Sequence, residues 1–443
     1  MTGAVLAGCV FGALLVRQAF VLTGMACSRR FLSVGADQGA SDTPADPDPR
    51  FFIVVPALRE AAVIADTITH MEAIAVGHRA QVVIATTARE QLDAAGSPGT
   101  GTVEVVEKLA AAGTFVHLHY PDPRGLKGDQ LNFAASYCAS TLLGDGVAED
   151  AFLLCYDADS RPPLDSLQHF TQAMRRFPEA DVLHQSSRFE LRELRERDRA
   201  GGPLKRLARA VCDGGAVRAN RFVLGFEIPR LLNRSTAVGR RKRAACSYVY
   251  AHVTGHGLCV RLSSVLDLPF PSRSPLEDMH YSFYLCSRGM SMVAVPSLDR
   301  AEVPDTVRGQ VEQASRWFFG PGRALRYLRD PATRRGPRAV VQAASALGSA
   351  AEWLGCAVIP PLMLAAAWLA AWPLRGLPLA VIALYLAQVL LTEACLGAPA
   401  RPGRRLARVL ACPPATVFFG LGGFIGAAQL VRGGSGVGKT ERR

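Results

Sequence analysis

Four apolar runs constrain this chain of 443 residues more than any other feature of its sequence. Each is close to the ~20 apolar residues that a helix needs to cross the hydrocarbon core of a bilayer. One such run could be a buried core helix, but three in succession favour membrane spans. In the first run the positive charge follows the apolar stretch, whereas a cleaved signal peptide carries it in front. The sequence therefore predicts an uncleaved N-terminal anchor and three C-terminal spans, at residues 3–25, 353–372, 377–396 and 409–431.

The net charge of +12 is confined to one end of the chain. Residues 321–443 carry +11, whereas residues 1–320 carry +1. The excess arginines flank the apolar runs, as they do on the cytoplasmic side of membrane proteins. The charge therefore predicts a multi-pass protein of the cytoplasmic membrane with membrane lipids, and not nucleic acid, as partners. Four spans that alternate in direction place the basic tail on the outer side of the membrane, against the positive-inside rule. Either the last apolar run is re-entrant, or the rule does not hold at the C-terminus.

Apolar runs of strand type alternate with segments of helical spacing between the first and second spans. The strands are predicted at 51–56, 81–85, 114–118 and 151–156, and the helices at 60–75, 103–112 and 128–139. This alternation indicates β-α-β units and an α/β domain, on the cytoplasmic side, with a mainly parallel sheet whose chemistry lies at the carboxyl ends of the strands. A mixed-charge segment at 188–199 predicts a further, solvated helix face.

Composition divides the chain into six segments. A stretch rich in Gly, Ser and Pro predicts a linker after the anchor, and arginines before the second span predict a helix in the membrane interface. The basic tail matches the P-loop pattern G-x-x-x-x-G-K-T, but it lacks the strand and helix that phosphate binding needs. The segments are the anchor at 1–27, the linker at 28–50, the α/β domain at 51–320, the basic interfacial segment at 321–352, the spans at 353–432 and the tail at 433–443.

Two carboxylates directly follow the fourth predicted strand. Asp157 and Asp159 stand at i and i+2, so both can point into a crevice and hold a hard divalent cation that also contacts phosphate oxygens. Aspartate is also common in solvated turns, and an Asp-x-Asp pair alone is weak support for a metal site. The preceding apolar strand favours the metal-binding interpretation.

Two further groups of polar residues stand on predicted helices. Glu277 and Asp278 open a helical segment, where carboxylates either take part in catalysis or only cap the helix. Gln313, Arg316 and Trp317 share one helix face, from which a guanidinium can bind phosphate and an indole can stack on a sugar ring. Each group alone fits an ordinary structural role, but the combination favours a functional site.

Six motifs occur in a fixed order between the predicted spans. They are Val54-Val55-Pro56, Lys127-Gly128-Asp129-Gln130-Leu131-Asn132, Asp157-Ala158-Asp159, Thr254-Gly255-His256-Gly257, Glu277-Asp278 and Gln313-x-x-Arg316-Trp317. With these motifs, residues 51–317 resemble the membrane-embedded family 2 glycosyltransferases of the GT-A fold, which include cellulose, chitin and hyaluronan synthases. The resemblance implies inverting transfer of a hexose from a nucleotide-sugar donor to a hydroxyl of a glycan or lipid-linked acceptor.

The resemblance implies donor-binding roles for residues in the first half of the domain. Pro56, Lys127 and Asn132 would lie along the nucleotide-sugar cleft. Asp157 would contact the nucleotide, and Asp159, together with Asp157, would bind the Mg²⁺ or Mn²⁺ that bridges the donor diphosphate.

The resemblance also implies roles for residues in the second half. Asp278 would be the general base that takes the proton of the acceptor hydroxyl. The residues expected to close over the diphosphate and the acceptor sugar are Glu277, Gln313, Arg316 and Trp317.

Two departures from the family pattern leave questions open. The second strand of the family commonly ends in acidic residues that bind the nucleobase, whereas residues 86–90 read Thr-Thr-Ala-Arg-Glu. Processive synthases generally have more than four spans, so the length of the product stays open. The alternatives are a non-catalytic GT-A-like scaffold or transport-associated protein and a P-loop NTPase.

Overall fold

The computed structural model of the protein describes residues 2–37, 49–90, 101–111, 113–191, 202–235, 250–369, 375–397 and 402–433. Within them, one sheet of seven strands forms the centre of the α/β region. Its strands are β1 (Arg50–Pro56), β2 (Ala80–Thr87), β3 (Val116–Tyr120), β4 (Ala151–Cys155), β5 (Val182–Leu191), β6 (Leu258–Arg261) and β7 (Met292–Val303). Their spatial order is β3-β2-β1-β4-β6-β5-β7.

The sheet is mainly parallel. Only β6 runs antiparallel to its neighbours, β4 and β5, and the other pairs are parallel. Along β1, Phe51, Ile53 and Val55 belong to the core on one face, while Phe52 and Val54 belong to the core on the other. A strand buried on both faces is continuously apolar, because successive side chains point to opposite faces.

Helices cover both faces of the sheet and continue beyond it on either side. The helices of the α/β region are α2 (Ile64–Ala75), α3 (Thr102–Ala110), α4 (Lys127–Tyr137), α5 (Ser166–Arg176), α6 (Pro203–Phe222), α7 (Ile228–Ser235), α8 (Leu262–Asp267), α9 (Glu277–Arg288), α10 (Val307–Gly322) and α11 (Ala324–Leu328). The chain begins with α1 (Thr2–Asp37) and ends with α12 (Pro337–Leu369), α13 (Gly376–Leu396) and α14 (Pro402–Val431). Single π-helical turns lie at Cys138–Leu142 and Val223–Glu227, and a 3₁₀ turn lies at Ala148–Asp150.

Four of these helices are long and apolar enough to cross a membrane. The candidate spans are Gly8–Val34 within α1, and the whole of α12, α13 and α14. The predicted fold class, a mainly parallel α/β domain flanked by membrane-spanning helices, is therefore confirmed. The second span begins at Pro337, so the last residues of the predicted interfacial segment form the first turns of α12.

One local prediction is wrong. Residues 188–191 are the end of β5 and not a helix face, because their backbone pairs with β7 from Arg188 opposite Arg300 to Leu191 opposite Val303. A segment of mixed charges fits a solvated helix as well as a strand. Pairing with β7 makes these residues part of a strand. Residues 192–199 and the tail beyond Gly433, with most of its P-loop-like pattern, lie outside the described residues.

Candidate active site

A cavity of about 1320 Å³ opens at the carboxyl ends of β1 and β4. Parallel strands bring the loops that follow them to one edge of a sheet, where α/β proteins bind ligands. Almost all of the residues singled out in the sequence line this cavity. They are Pro56, Lys127, Asp157, Asp159, Glu277, Asp278, Gln313, Arg316 and Trp317.

Asn132 is the exception, because it does not line the cavity. Its side chain accepts a hydrogen bond from the Phe270 N–H at 2.8 Å and donates one to the Phe270 carbonyl at 2.8 Å. The structure thus places Asn132 as a link between α4 and the loop after α8.

Lys127 joins carboxylates from two distant parts of the chain. Its Nζ lies 2.6 Å from Asp157 Oδ1 and 3.3 Å from Glu277 Oε1, and it donates to the Gly255 carbonyl at 3.0 Å. Lys127 is the first residue of α4, and Asp129 fixes the start of this helix by accepting the Leu126 N–H at 2.8 Å. Burial alone lowers the pKa of Lys127, but the charges of Asp157 and Glu277 outweigh burial and raise the pKa. The ammonium therefore stays charged at neutral pH.

Glu277 and Asp278 form the first turn of α9 and are both deeply enclosed. Asp278 Oδ2 accepts the Gly255 N–H at 3.0 Å, and its Oδ1 accepts the Met279 N–H at 2.7 Å. Burial raises the pKa of both carboxyls above their ordinary values, although the charge of Lys127 acts in the opposite direction. A carboxylate with a raised pKa, fixed by two N–H donors at the edge of a cavity, has the properties of a general base.

Gly255 leaves the space in which the lysine and the carboxylates meet. A Cβ added at Gly255 would lie 2.6 Å from Lys127 Nζ and 3.1 Å from Glu277 Oε1. We expect Gly255→Ala to displace Lys127 and to lower the turnover of the enzyme by roughly 10-fold to 100-fold, because small displacements of reacting groups are costly. Steady-state rates of the purified variant check this.

A matched control exists for this substitution. At Gly202, which precedes α6, an added Cβ meets no atom of the described residues within 4 Å. Gly202→Ala should therefore retain the wild-type rate. Equal rates for the two variants would contradict the role given to Gly255.

The face of α10 opposite the cavity packs against α14, one of the candidate membrane spans. Thr306 Oγ1 accepts the Gly309 N–H at 3.0 Å and starts α10. On α14, Gly422 faces Ala314 so closely that an added Cβ would lie 2.6 Å from Ala314 Cβ. This close packing holds one face of α10 against α14 and leaves the face with Gln313, Arg316 and Trp317 toward the cavity.

Asp157 and Asp159 are the carboxylates that the sequence predicts as metal ligands. Both follow β4 and line the cavity. Within the described part of the chain, no group of three or more His, Cys, Asp or Glu residues is placed to hold a metal ion. Mg²⁺ is commonly bound by one or two carboxylates together with substrate phosphates, and one oxygen of Asp157 is bonded to Lys127 Nζ at 2.6 Å.

His256 also lines the cavity, although the sequence assigned it no role. Its Nδ1 lies 2.7 Å from Ser187 Oγ and 3.4 Å from Asp299 Oδ2. Burial lowers the pKa of His256, but the hydrogen bond and charge of Asp299 and the charge of Asp157 raise it to about 9. The site thus contains a second buried cation, and the only sequence signal for it is the quoted Thr-Gly-His-Gly motif.

Residues 232–418 match the family described as glycosyl transferase family group 2. No curated protein matches the chain. This family match contains Glu277, Asp278 and all of α10. It confirms the resemblance drawn from the motifs and the enzyme class that they implied, a glycosyltransferase.

Solved structures that are similar to the chain include two transferases. The mannosyltransferase PcManGT from Pyrobaculum calidifontis, solved in complex with GDP-Man and Mn²⁺, is 16% identical, with 92% of this chain and 98% of that chain covered and a TM-score of 0.49. Residues 1–349 of S. aureus TarS, solved with UDP-GlcNAc, are 12% identical, with coverage of 87% and 92% and a TM-score of 0.41.

Proposed function

We propose that this glycosyltransferase is an inverting, metal-dependent enzyme that transfers a hexose from a nucleotide sugar to a hydroxyl of a glycan or lipid-linked acceptor at the membrane. One observation carries the proposal. The cavity that contains Asp157 and Asp159 also contains the partly buried carboxylate of Asp278 and extends to residues of the candidate membrane spans. A donor, a base and a membrane-bound acceptor can therefore meet in one space.

The donor end of the cavity lies at the sheet edge. Pro56 and Lys127 would flank the nucleotide sugar, and Asp157 and Asp159 would hold Mg²⁺ or Mn²⁺ against its diphosphate. The bound metal would neutralise charge that develops on the departing diphosphate. Asn132 would act indirectly, through its bonds to the loop at Phe270.

Asp278 would take the proton from the acceptor hydroxyl as this oxygen attacks the anomeric carbon. Attack from the face opposite the diphosphate inverts the anomeric centre. The two N–H donors to Asp278 fix the direction of the carboxylate, and its raised pKa brings its basicity closer to neutral pH. Glu277 would mainly position Lys127.

The acceptor would bind at the end of the cavity that α10 lines. Arg316 would contact the diphosphate, Trp317 would stack on the acceptor sugar, and Gln313 would complete this face. The arginines that flank the candidate spans favour an α/β domain, residues 51–320, on the cytoplasmic side of the cell membrane.

The proposal is tested with the purified full chain in lipid nanodiscs and a panel of nucleotide sugars. We expect release of nucleoside diphosphate from at least one donor in the presence of Mg²⁺ or Mn²⁺, and none after chelation with EDTA. The assay measures nucleoside diphosphate by a coupled enzyme reaction. Absence of turnover with every donor, despite donor binding, would instead support the non-catalytic scaffold.

A further inference from the structure

The cavity continues past α10 toward the membrane helices, where its walls are rich in arginine. Four guanidinium groups line this end, from Arg17, Arg218, Arg221 and Arg230. We call these four residues the arginine pocket. Arg17 comes from α1, Arg218 and Arg221 come from α6, and Arg230 comes from α7. The proposed sugar transfer uses none of them.

The four guanidinium groups of the arginine pocket outnumber the two carboxylates at this end of the cavity, Glu227 and Glu352. Arg17 pairs with Glu352 at 3.0 Å. Within the described residues, no carboxylate lies within salt-bridge distance of Arg218, Arg221 or Arg230. Glu227, the other carboxylate at this end, lies 3.5 Å from His184. Three guanidinium groups therefore have no carboxylate partner among the described residues.

Burial makes this excess of positive charge costly. Arg221 is only 9% exposed, and its Nε is buried without a hydrogen-bond partner in the described structure. Its Nη1 donates to Gln388 Oε1 at 2.7 Å and its Cζ lies 4.9 Å from the centroid of the Tyr385 ring, so these partners are neutral. Burial lowers the pKa of Arg218 to about 10, so the group is still cationic at neutral pH. A buried charge is stable only when it is paired, so this end of the cavity is suited to an anion.

Aromatic rings stand between the arginines. The Cζ of Arg218 lies 3.4 Å from the centroid of the Phe419 ring, and Phe419 stacks on Trp353 at 4.5 Å. Phe226 lies between Arg17 and Arg230, at 5.4 Å and 5.6 Å from their Cζ atoms. A ligand of this end therefore meets cationic groups and apolar surface together.

The walls that carry Arg17, Glu352, Trp353 and Phe419 belong to candidate membrane spans. Charged residues within such spans commonly mark a ligand path. We propose that the arginine pocket binds the phosphate group of a membrane lipid, with the lipid chain against the aromatic residues of α12 and α14. The further step, in which this lipid carries the acceptor of the sugar transfer, rests on the proposed function.

A binding experiment without nucleotide sugar tests the site. The full chain, purified in a neutral detergent, is titrated with fluorescent phosphatidic acid, and diacylglycerol of the same acyl composition, which lacks the phosphate, serves as the comparison. We expect the wild type to prefer phosphatidic acid by about tenfold or more, as charge-assisted bonds to phosphate would give. Arg218→Gln should abolish most of this preference, and Arg218→Lys, which keeps the charge, should retain part of it.

Arg206→Gln is the matched control, because Arg206 is exposed on the same helix and lies outside the cavity. It should bind phosphatidic acid as the wild type does. Equal binding of the two lipids by the wild type, or an unchanged preference in Arg218→Gln, would overturn the site. Inorganic pyrophosphate is added as a competitor, and displacement by it as efficient as by unlabelled phosphatidic acid would reject the lipid as the ligand.

The two proposals fail in different ways. If the lipid site is wrong, the preference for phosphatidic acid is absent while nucleoside diphosphate is still released from a donor. If the transfer is wrong, no donor turns over while the lipid preference persists.

Discussion

Asp278→Asn is expected to lower the rate of sugar transfer by roughly 10²-fold to 10⁴-fold, the range that a positioned general base contributes. Asparagine has the size of aspartate but cannot accept the proton of the acceptor hydroxyl. It can keep one of the two bonds from the N–H groups of Gly255 and Met279, so the loop should keep its position. The measurement is nucleoside diphosphate release together with donor binding by calorimetry, which should be retained.

Asp267→Asn is the control for this substitution, because it makes the same change at an exposed carboxylate at the end of α8. It should leave the rate unchanged.

The pH profile of the wild type gives a second check. Burial raises the pKa of Asp278, and only the ionised base is active, so the rate should fall at a higher pH than for an ordinary aspartate as the solution is acidified. Full turnover by Asp278→Asn would contradict the assignment of Asp278 as the general base.

Asp159→Asn is expected to reduce metal-dependent turnover by roughly 10²-fold or more, since a metal ion supplies several kcal/mol of charge stabilisation in such reactions. The substitution replaces an anionic metal ligand by a neutral one. The half-saturating concentration of Mn²⁺ should therefore rise in the variant. Nucleoside diphosphate release, measured over a series of Mn²⁺ concentrations, gives both quantities.

Asp165→Asn serves as the comparison for Asp159, because Asp165 follows the same strand but its side chain is 57% exposed. This variant should respond to Mn²⁺ as the wild type does. Thermal unfolding of both variants shows whether they are folded. An unchanged Mn²⁺ response in a folded Asp159→Asn protein would exclude Asp159 as a ligand.

The sequence predicted the strands that are buried on both faces. Strands β1, β2 and β4 were found, within two residues, because continuous apolar runs mark such strands. The edge strand β3, in which only Leu118 is buried, was also found within two residues. The last three strands were not predicted. β6 has four residues, and the second half of β5 is polar enough to resemble a helix face. Their pairing with β4 and β7 is a long-range property that no local pattern contains.

The candidate site also has a part that could be predicted from the sequence and a part that could not. The sequence singled out Asp157 at the end of a strand and Glu277 at the start of a helix, and the family resemblance singled out Lys127. Asn132 belongs to the same motif as Lys127, but it lies five residues further along α4 and its side chain is held by Phe270. A motif gives the residue types, whereas packing decides which of its members reach the cavity.

The amino-acid sequence by itself determined the four apolar helices, the α/β alternation and the residue types needed for sugar transfer, because periodicity and charge are local properties of a chain. Only the tertiary structure decided that Lys127 bridges Asp157 and Glu277, and that Arg17 joins three arginines some 200 positions away. Contacts between distant residues depend on which helix faces pack together. The packing of Gly422 in α14 against α10 is one example. That packing is set by the whole core and cannot be read from one segment.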